Sequence, residues 1–287
     1  MRVWLFTVLL LAGCATQAPT PAPAQAKLSD AFSRGAASVQ AGNYAAAMRD
    51  YEEARRLARS IEDGDGLGAA AVNLSIVQQR LGHDAQARET LAEVLDSSRG
   101  PAIPERRLMQ AELRRSILSL AARDIPGAID WAARAQQRCG SCALLPAILN
   151  VNAQAALAAK NLDEAARVAA AASDAAKARD DRAEAANALR TLGRARLAKN
   201  EAGPATAALA QALELDHGLA DPRKIAADLA ELARAQAAAG DPTAARSYFE
   251  RALAVSRSLN DTRAVAELEA QMASSGSLSP VTDRKSP

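Results

Sequence analysis

Residues 229–252 read LAELARAQAAAGDPTAARSYFERA, and this stretch decides the fold. The Gly-Asp-Pro sequence at 240–242 separates two alanine-rich segments, as a turn between two helices would. Ala245, Phe249 and Ala252 stand at offsets of zero, four and seven, which places them on one face of a helix. Ala233 stands twelve residues before Ala245 and is small enough to let two helices cross closely. The stretch predicts a helical hairpin.

The same arrangement recurs along most of the chain. Six alanines follow short turns at intervals of 40, 41, 37, 40 and 40 residues, namely Ala47, Ala87, Ala128, Ala165, Ala205 and Ala245. A small residue stands twelve positions before each of them, namely Gly35, Ser75, Ser116, Ala153, Gly193 and Ala233. A period of this length predicts a solenoid, in which each unit buries its apolar face against its neighbours.

This pattern resembles the tetratricopeptide repeat (TPR) over roughly residues 28–257. The likeness is strongest in the last unit, residues 229–252, and in the first, which has Gly35, Gly42, Ala47, Tyr51 and Ala54 in family positions. The resemblance implies an all-α, right-handed superhelical solenoid of about six helix-turn-helix units. An amphipathic segment at 262–272 is expected to cover the last apolar face as a capping helix.

The N-terminus has a separate signal. Leu9 to Cys14 reads Leu-Leu-Leu-Ala-Gly-Cys, and it ends an apolar segment that is too short to span a ~30 Å hydrocarbon core. The segment resembles the signal peptide of bacterial lipoproteins, which implies cleavage before Cys14 and acylation, including palmitate, of that residue. Because Ala15 and Thr16 are not aspartate, the resemblance implies an outer-membrane anchor that faces the periplasm. An ordinary signal peptide that happens to contain a cysteine is the alternative.

The chain is therefore divided into four parts. Residues 1–13 are a predicted signal peptide, and residues 14–27 are the lipidated cysteine with a tether rich in proline and alanine. Pro19, Pro21 and Pro23 favour an extended polyproline conformation in this tether. Residues 28–273 are the solenoid with its capping helix, and residues 274–287 are a predicted disordered tail.

The composition gives little support to catalysis or to nucleic-acid binding. Lysine and arginine number 35 against 33 acidic residues, so no net charge attracts a polyanion. The two histidines, His83 and His217, lie far apart in the repeat register, and no hydrolase, phosphate-loop or zinc-protease motif is present. Residues 62–66 resemble the opening of a calcium loop but lack its final glutamate, so a solvated turn is favoured. We expect neither enzyme activity nor a cofactor or metal.

Cys139 and Cys142 form the remaining cysteine pair. In an oxidising compartment their spacing permits a short disulfide, which we expect to staple the loop between the third and fourth units. A redox-active pair is the alternative, but it requires the first cysteine at a helix N-terminus, whereas Cys139 is predicted to end a helix. Haem attachment would require a histidine at Ala143.

In the TPR family the first helix of each unit lines a concave groove, and the resemblance assigns partner-binding residues accordingly. The N-terminal half of this groove is apolar, with Phe32, Val39, Val72, Ile76, Leu113, Ile117 and Leu120. The C-terminal half is polar and basic, with Asn150, Gln154, Asn187, Arg190, Arg194 and Arg234. Arg190 and Arg194 lie one helical turn apart, as donors to a carboxylate would. The likeness to carboxylate-clamping TPR proteins is partial, and simple solvated helix faces are the alternative.

These observations predict a periplasm-facing adaptor that binds a protein or peptide segment and supports the assembly of cell-envelope machinery. A thiol-disulfide protein that uses Cys139 and Cys142 is the first alternative. A passive structural lipoprotein is the second.

Overall fold

The computed structural model describes residues 22–96 and 100–276, and every regular element in these ranges is an α-helix. Twelve of the helices form six consecutive pairs, and one more follows them. Their bounds are α1 Pro23–Gln40, α2 Tyr44–Ser60, α3 Gly64–Arg80, α4 Asp84–Leu95, α5 Glu105–Ala121, α6 Ile125–Cys139, α7 Leu145–Ala158, α8 Leu162–Lys177, α9 Arg182–Ala198, α10 Ala202–Leu219, α11 Pro222–Ala238, α12 Pro242–Ser258 and α13 Thr262–Gly276. The predicted all-α solenoid of six units with a capping helix is confirmed.

The first helices of the units form an inner layer. Each helix packs on its neighbours in the chain, and α1, α3, α5, α7, α9 and α11 also contact one another in sequence. The second helices of neighbouring units make no such contacts in the described ranges. The first helices therefore line the concave side, as the repeat register predicts.

Small residues bring the two helices of a unit close together. A Cβ atom on Gly35 would lie 2.6 Å from Cε1 of Tyr51, and one on Gly193 would lie 2.5 Å from Cγ of Leu209. In the third unit the Ser116 hydroxyl donates a hydrogen bond of 2.7 Å to the Ala128 carbonyl. The twelve-residue spacing of small residues in the sequence thus marks the points at which the helices cross.

Side-chain caps mark the starts of many of the helices. Seven residues directly before a helix accept a hydrogen bond from a backbone N–H of its first turn, namely Asn43, Asp63, Asp124, Asp181, Asp221, Asp241 and Asp261. Such caps satisfy amide groups that lack a partner within the helix. Proline stands in the first turn of α6, α7, α11 and α12, where its missing N–H has no cost.

Two predicted boundaries are wrong. The sequence predicts a tether that extends to residue 27, but α1 begins at Pro23, because proline suits the first helical position and good helix formers follow it. The sequence predicts a disordered tail from residue 274, but α13 continues to Gly276. Predictions for residues 1–21 and 277–287, which include Cys14, lie outside the described residues.

Candidate functional site

An apolar cleft of about 310 Å³ lies on the concave side between α3 and α5. Four of the predicted groove residues, Val72, Ile76, Leu113 and Ile117, line it together. Leu144, which precedes the first turn of α7, forms another part of its wall. Polar side chains complete the lining, namely Asn73, Arg107, Gln110 and Arg114.

The rest of the predicted apolar strip is not part of this cleft. Phe32 packs on Tyr51 in the core of the first unit, with ring centroids 6.3 Å apart. Val39 packs against the same core cluster, and Leu120 packs against the cluster that contains Met109. Phe32 is therefore half-buried against α2 and lies outside this cleft, and its role in partner binding stays a prediction.

The residue that the sequence analysis missed is Arg114. Its guanidinium is buried in the cleft and donates to the Ser75 hydroxyl at 3.3 Å, the Ser75 carbonyl at 3.3 Å and Oε1 of Gln79 at 2.6 Å. These bonds use Nε and Nη2. Nη1 donates to no acceptor within the described ranges, and it is not among the fully enclosed polar atoms without a partner.

No carboxylate in the described part of the chain forms an ion pair with Arg114. Burial, together with the positive charge of Arg80, lowers the pKa of Arg114 to about 10, although the charge of Asp84 opposes this shift. At neutral pH the group remains a cation. Burying a charge without an opposite charge nearby costs free energy. An anion bound beside Arg114 would reduce that cost.

The other arginine in the cleft is already neutralised. Arg107 forms a two-bond ion pair with Asp65, with Nε 2.8 Å from Oδ1 and Nη2 3.1 Å from Oδ2. Hydrogen bonds from Arg107 hold the pKa of Asp65 below its usual range, although burial opposes them. Asp63 caps α3, so both aspartates of the segment that resembles a calcium loop have internal partners.

The predicted carboxylate donors of the C-terminal half are also neutralised from within. Arg190 is buried, and it forms ion pairs with Asp216 of α10 and Asp228 of α11. Burial alone would lower the pKa of Arg190, but the hydrogen bond and the charge of Asp228 and the charge of Asp216 outweigh it and raise the pKa. The prediction that Arg190 binds a partner's carboxylate is wrong, because two carboxylates of this chain occupy its donors.

The remaining predicted donors follow the same pattern. Arg194 and Arg234 both form ion pairs with the buried Glu231, at 2.6 Å for Arg234. Asn187 accepts hydrogen bonds from Arg190 and Lys224, and Asn150 is buried and accepts one from Thr191 at 2.7 Å. Gln154 is half-buried on α7. The polar half of the predicted groove is thus a network that joins the fourth, fifth and sixth units.

Asp228 is the least satisfied member of this network. One of its carboxylate oxygens bonds to Arg190, and the other is enclosed without a partner. Burial, together with the neighbouring Asp216, raises the pKa of Asp228 to about 6, although Arg190 opposes this shift. Two neighbouring carboxylates thus compete for one guanidinium.

Cys139 and Cys142 are joined by a disulfide at the end of α6, with their Cα atoms 5.0 Å apart. Cys139 is buried in the same cluster as Met109 and Leu113, and Cys142 Sγ lies 3.4 Å from Met109 Sδ. Cys139 ends its helix, as the sequence predicts. In the described residues no group of three or more His, Cys, Asp or Glu side chains is placed to hold a metal ion. The described helices include none with the length and apolar character that a membrane crossing requires.

The architecture defines a TPR-type solenoid, and the comparisons with solved structures agree. BtubC (BKLC) from P. vanneervenii matches with a TM-score of 0.61 at 17% identity, over 84% of this chain and 93% of that chain. The nearly identical TPR-like repeats of a kinesin light chain candidate from Podosopora anserina match with a TM-score of 0.53 at 17% identity, over 67% and 96%. A Rap protein complexed with competence and sporulation factor matches with a TM-score of 0.61 at 14% identity, over 88% and 76%.

These likenesses agree with a solenoid fold of the TPR type. No protein-family model and no curated protein matches the sequence.

Proposed function

We propose that this chain is a non-enzymatic adaptor that binds one extended segment of a partner protein in the cleft between α3 and α5. The segment presents a carboxylate to Arg114 and aliphatic side chains to Val72, Ile76 and Ile117. The observation that supports this proposal most strongly is the buried guanidinium of Arg114, which has no carboxylate partner in the described residues.

The energetics favour a ligand that combines both features. A hydrogen bond to a charged group contributes about 1.5 to 3 kcal/mol, and apolar surface contributes roughly 25 cal/mol per Å² removed from water. A partner carboxylate would also relieve the cost of the isolated charge. Neither a purely apolar nor a purely acidic segment would use the whole cleft.

The proposed cellular setting depends on the sequence. The likeness of residues 1–14 to a lipoprotein signal favours an anchor at Cys14 in the outer membrane, with the solenoid facing the periplasm. An anchored solenoid with a segment-binding cleft suits the assembly of cell-envelope machinery. Acyl groups on Cys14, found by mass spectrometry of the mature protein, would support this setting, and a soluble mature protein without them would reject it.

Cross-linked capture from envelopes tests the proposed cleft. The wild-type chain and an Arg234→Ala variant, which removes an arginine that already shares Glu231 with Arg194, should capture the same partner. Arg114→Met should lose that partner. Mapping the cross-linked residues should identify an acidic and aliphatic segment. Equal capture by Arg114→Met and wild type, with both proteins folded by circular dichroism, would contradict the proposal.

A further inference from the structure

From the position of the disulfide we infer that the Cys139–Cys142 bond shapes the binding cleft, and that its redox state sets the affinity of the cleft for its ligand. In the sequence this pair and the groove are separate features. In the structure the cleft residues Leu113, Ile117 and Leu144 connect them, because all three belong to or pack against the cluster that contains Cys139. Leu144, two positions after Cys142, forms part of the cleft wall. The inference rests on the proposed function for its ligand.

The loop that contains the disulfide joins α6 to α7 through consecutive short contacts. The Cys142 N–H donates to the Cys139 carbonyl at 2.9 Å, and the Leu145 N–H donates to the Cys142 carbonyl at 3.1 Å. The Ile148 N–H then donates to the Leu144 carbonyl at 3.0 Å as the first bond of α7. The covalent bond thus lies at the start of a chain of contacts that ends at the cleft wall.

The sulfur atoms lie in the core that supports the cleft. Cys139 is buried with Met109, Leu113 and Ile148, and Leu144 packs against that cluster. Cys142 contacts Met109 on α5, one turn before Leu113. The disulfide therefore fixes the end of α6, the start of α7 and part of α5 relative to one another.

After reduction the loop would keep its backbone hydrogen bonds and the packing of Leu144 against the cluster around Met109, but little else would fix it. Gly140 has a φ of +54°, a conformation that favours glycine and provides no packing side chain. A hydrogen bond of 3.2 Å from Arg179 to the Ser141 carbonyl is the remaining side-chain contact to the loop backbone that the structure describes. Loss of the disulfide would therefore increase the mobility of Leu144 more than that of any residue on α3.

The redox step is ordinary thiol-disulfide exchange with a dithiol reductant. A thiolate of the reductant attacks one sulfur of the pair and forms a mixed disulfide, and its second thiolate then closes the reductant's own disulfide. The protein gains two electrons and two protons, so that Cys139 and Cys142 become two thiols. The reductant is oxidised by the same two electrons. Oxidised protein binds with high affinity, and reduced protein binds with low affinity.

Two readouts on the full-length protein test this inference. The first is amide hydrogen exchange at residues 144–149 without ligand, before and after treatment with dithiothreitol. The second is the affinity for a fluorescein-labelled probe peptide, acetyl-leucyl-valyl-glutamyl-leucyl-leucine amide. Reduction should accelerate exchange at 144–149 and weaken the binding of the probe three- to tenfold.

Two variants separate the inference from side effects of the reductant. Cys139→Ser/Cys142→Ser should behave like the reduced wild type and should not respond to dithiothreitol. Leu144→Ala should bind the probe more weakly and should lose most of its sensitivity to reduction, because Leu144 is the cleft residue on the loop between α6 and α7 that reduction would release. Circular dichroism should show folded protein in every case.

The outcomes distinguish this inference from the proposed function. Unchanged exchange at 144–149 after reduction overturns the inference, whether or not the probe binds. An equal loss of affinity on reduction in wild type and Leu144→Ala also overturns it. Faster exchange with no probe binding in either redox state supports control of the cleft wall by the disulfide, and it rejects the proposed ligand of the cleft.

Discussion

Arg114 in the third unit and Arg190 in the fifth are both buried guanidinium groups on first helices, and they differ in what neutralises them. Arg190 has two carboxylate partners from two other helices, which raise its pKa. Arg114 has only neutral acceptors in the described residues, and burial lowers its pKa to about 10. One charge therefore belongs to the internal structure of the solenoid. The other has no carboxylate partner in the described residues, and we propose that a ligand supplies one.

This difference shows that charged residues on the concave face do not by themselves identify a binding site. The C-terminal half has more groove arginines in its sequence, but Asp216, Asp228 and Glu231 neutralise them from within. The N-terminal half looks apolar in sequence, and yet its cleft has the unpaired cation. Breaking a paired buried charge is destabilising. Replacing a buried charge that lacks an opposite charge also removes the cost of burying that charge.

The largest expected effect is on the stability of the C-terminal half. Arg190→Met leaves Asp216 and Asp228 buried without their cation, so we expect a loss of about 3–5 kcal/mol in the free energy of unfolding. Arg114→Met is the matched control, and its change should stay within about 1 kcal/mol or be stabilising. Urea denaturation at pH 7 measures both. Similar losses of unfolding free energy in the two variants would contradict the difference described between Arg190 and Arg114.

The second expected effect is the contribution of Asp228 to the pH dependence of the free energy of unfolding. Its pKa is raised to about 6 in the folded state, so the folded chain retains a proton that the unfolded chain has released above about pH 4. The folded state then binds more protons, and stability from this group falls as the pH rises from about 4 to 6, by up to about 3 kcal/mol.

Comparing the unfolding free energy of wild type and Asp228→Asn across this range isolates that contribution. The asparagine side chain of the variant does not titrate, and the substitution leaves Arg190 with one carboxylate, Asp216. The difference between the two proteins should shift in favour of Asp228→Asn as the pH rises. A constant difference between about pH 4 and pH 7 would show that the group titrates normally.

The third effect concerns the apolar part of the cleft. Ile76 is 36% exposed in the cleft, and Ile129 is 45% exposed on α6 outside it. Ile76→Asp should weaken the binding of the probe peptide at least tenfold, equivalent to about 1.4 kcal/mol, because it places a negative charge in an apolar site that receives a carboxylate. Ile129→Asp should leave that affinity unchanged in a fluorescence anisotropy titration. Equal losses would place the site elsewhere.

The smallest effect is expected at Arg234. It lies on the concave side and is 43% exposed, and it shares Glu231 with Arg194. Arg234→Ala should change the free energy of unfolding by less than about 0.5 kcal/mol and the probe affinity by less than twofold. A larger loss of probe affinity would restore a role for the C-terminal arginines in ligand binding.

The fold could be predicted from sequence because each unit repeats the same local rules. Small residues at twelve-residue spacing and short turns recur in every unit, and capping aspartates recur in four of the six, independently of distant neighbours. The start of α1 at Pro23 was missed because proline favours both an extended tether and a first helical position. Only the contacts of α1 with α2 and α3 decide between them.

The candidate site could be predicted only in part from the sequence, because it depends on residues outside the repeat positions that were predicted to line the groove. Most of the predicted groove residues lie three before or one after the small residue of each first helix. Arg114 and Glu231 lie two before Ser116 and Ala233, at a position that the sequence analysis did not consider. Asp216 lies on a second helix, so no reasoning within one helix could pair it with Arg190. A charged residue at that position of a unit is the sequence signal that points to Arg114.

The most direct test of the central claim is a double-mutant cycle between Arg114 and the glutamate of the probe peptide. Replacing that glutamate with glutamine should weaken binding to the wild type by about tenfold or more, which is within the range for a hydrogen bond to a charged group. The same replacement should have little effect on binding to Arg114→Met, whose melting temperature should be close to that of the wild type or higher. An equal effect of the replacement on both proteins would contradict the claim that Arg114 binds the carboxylate of the ligand.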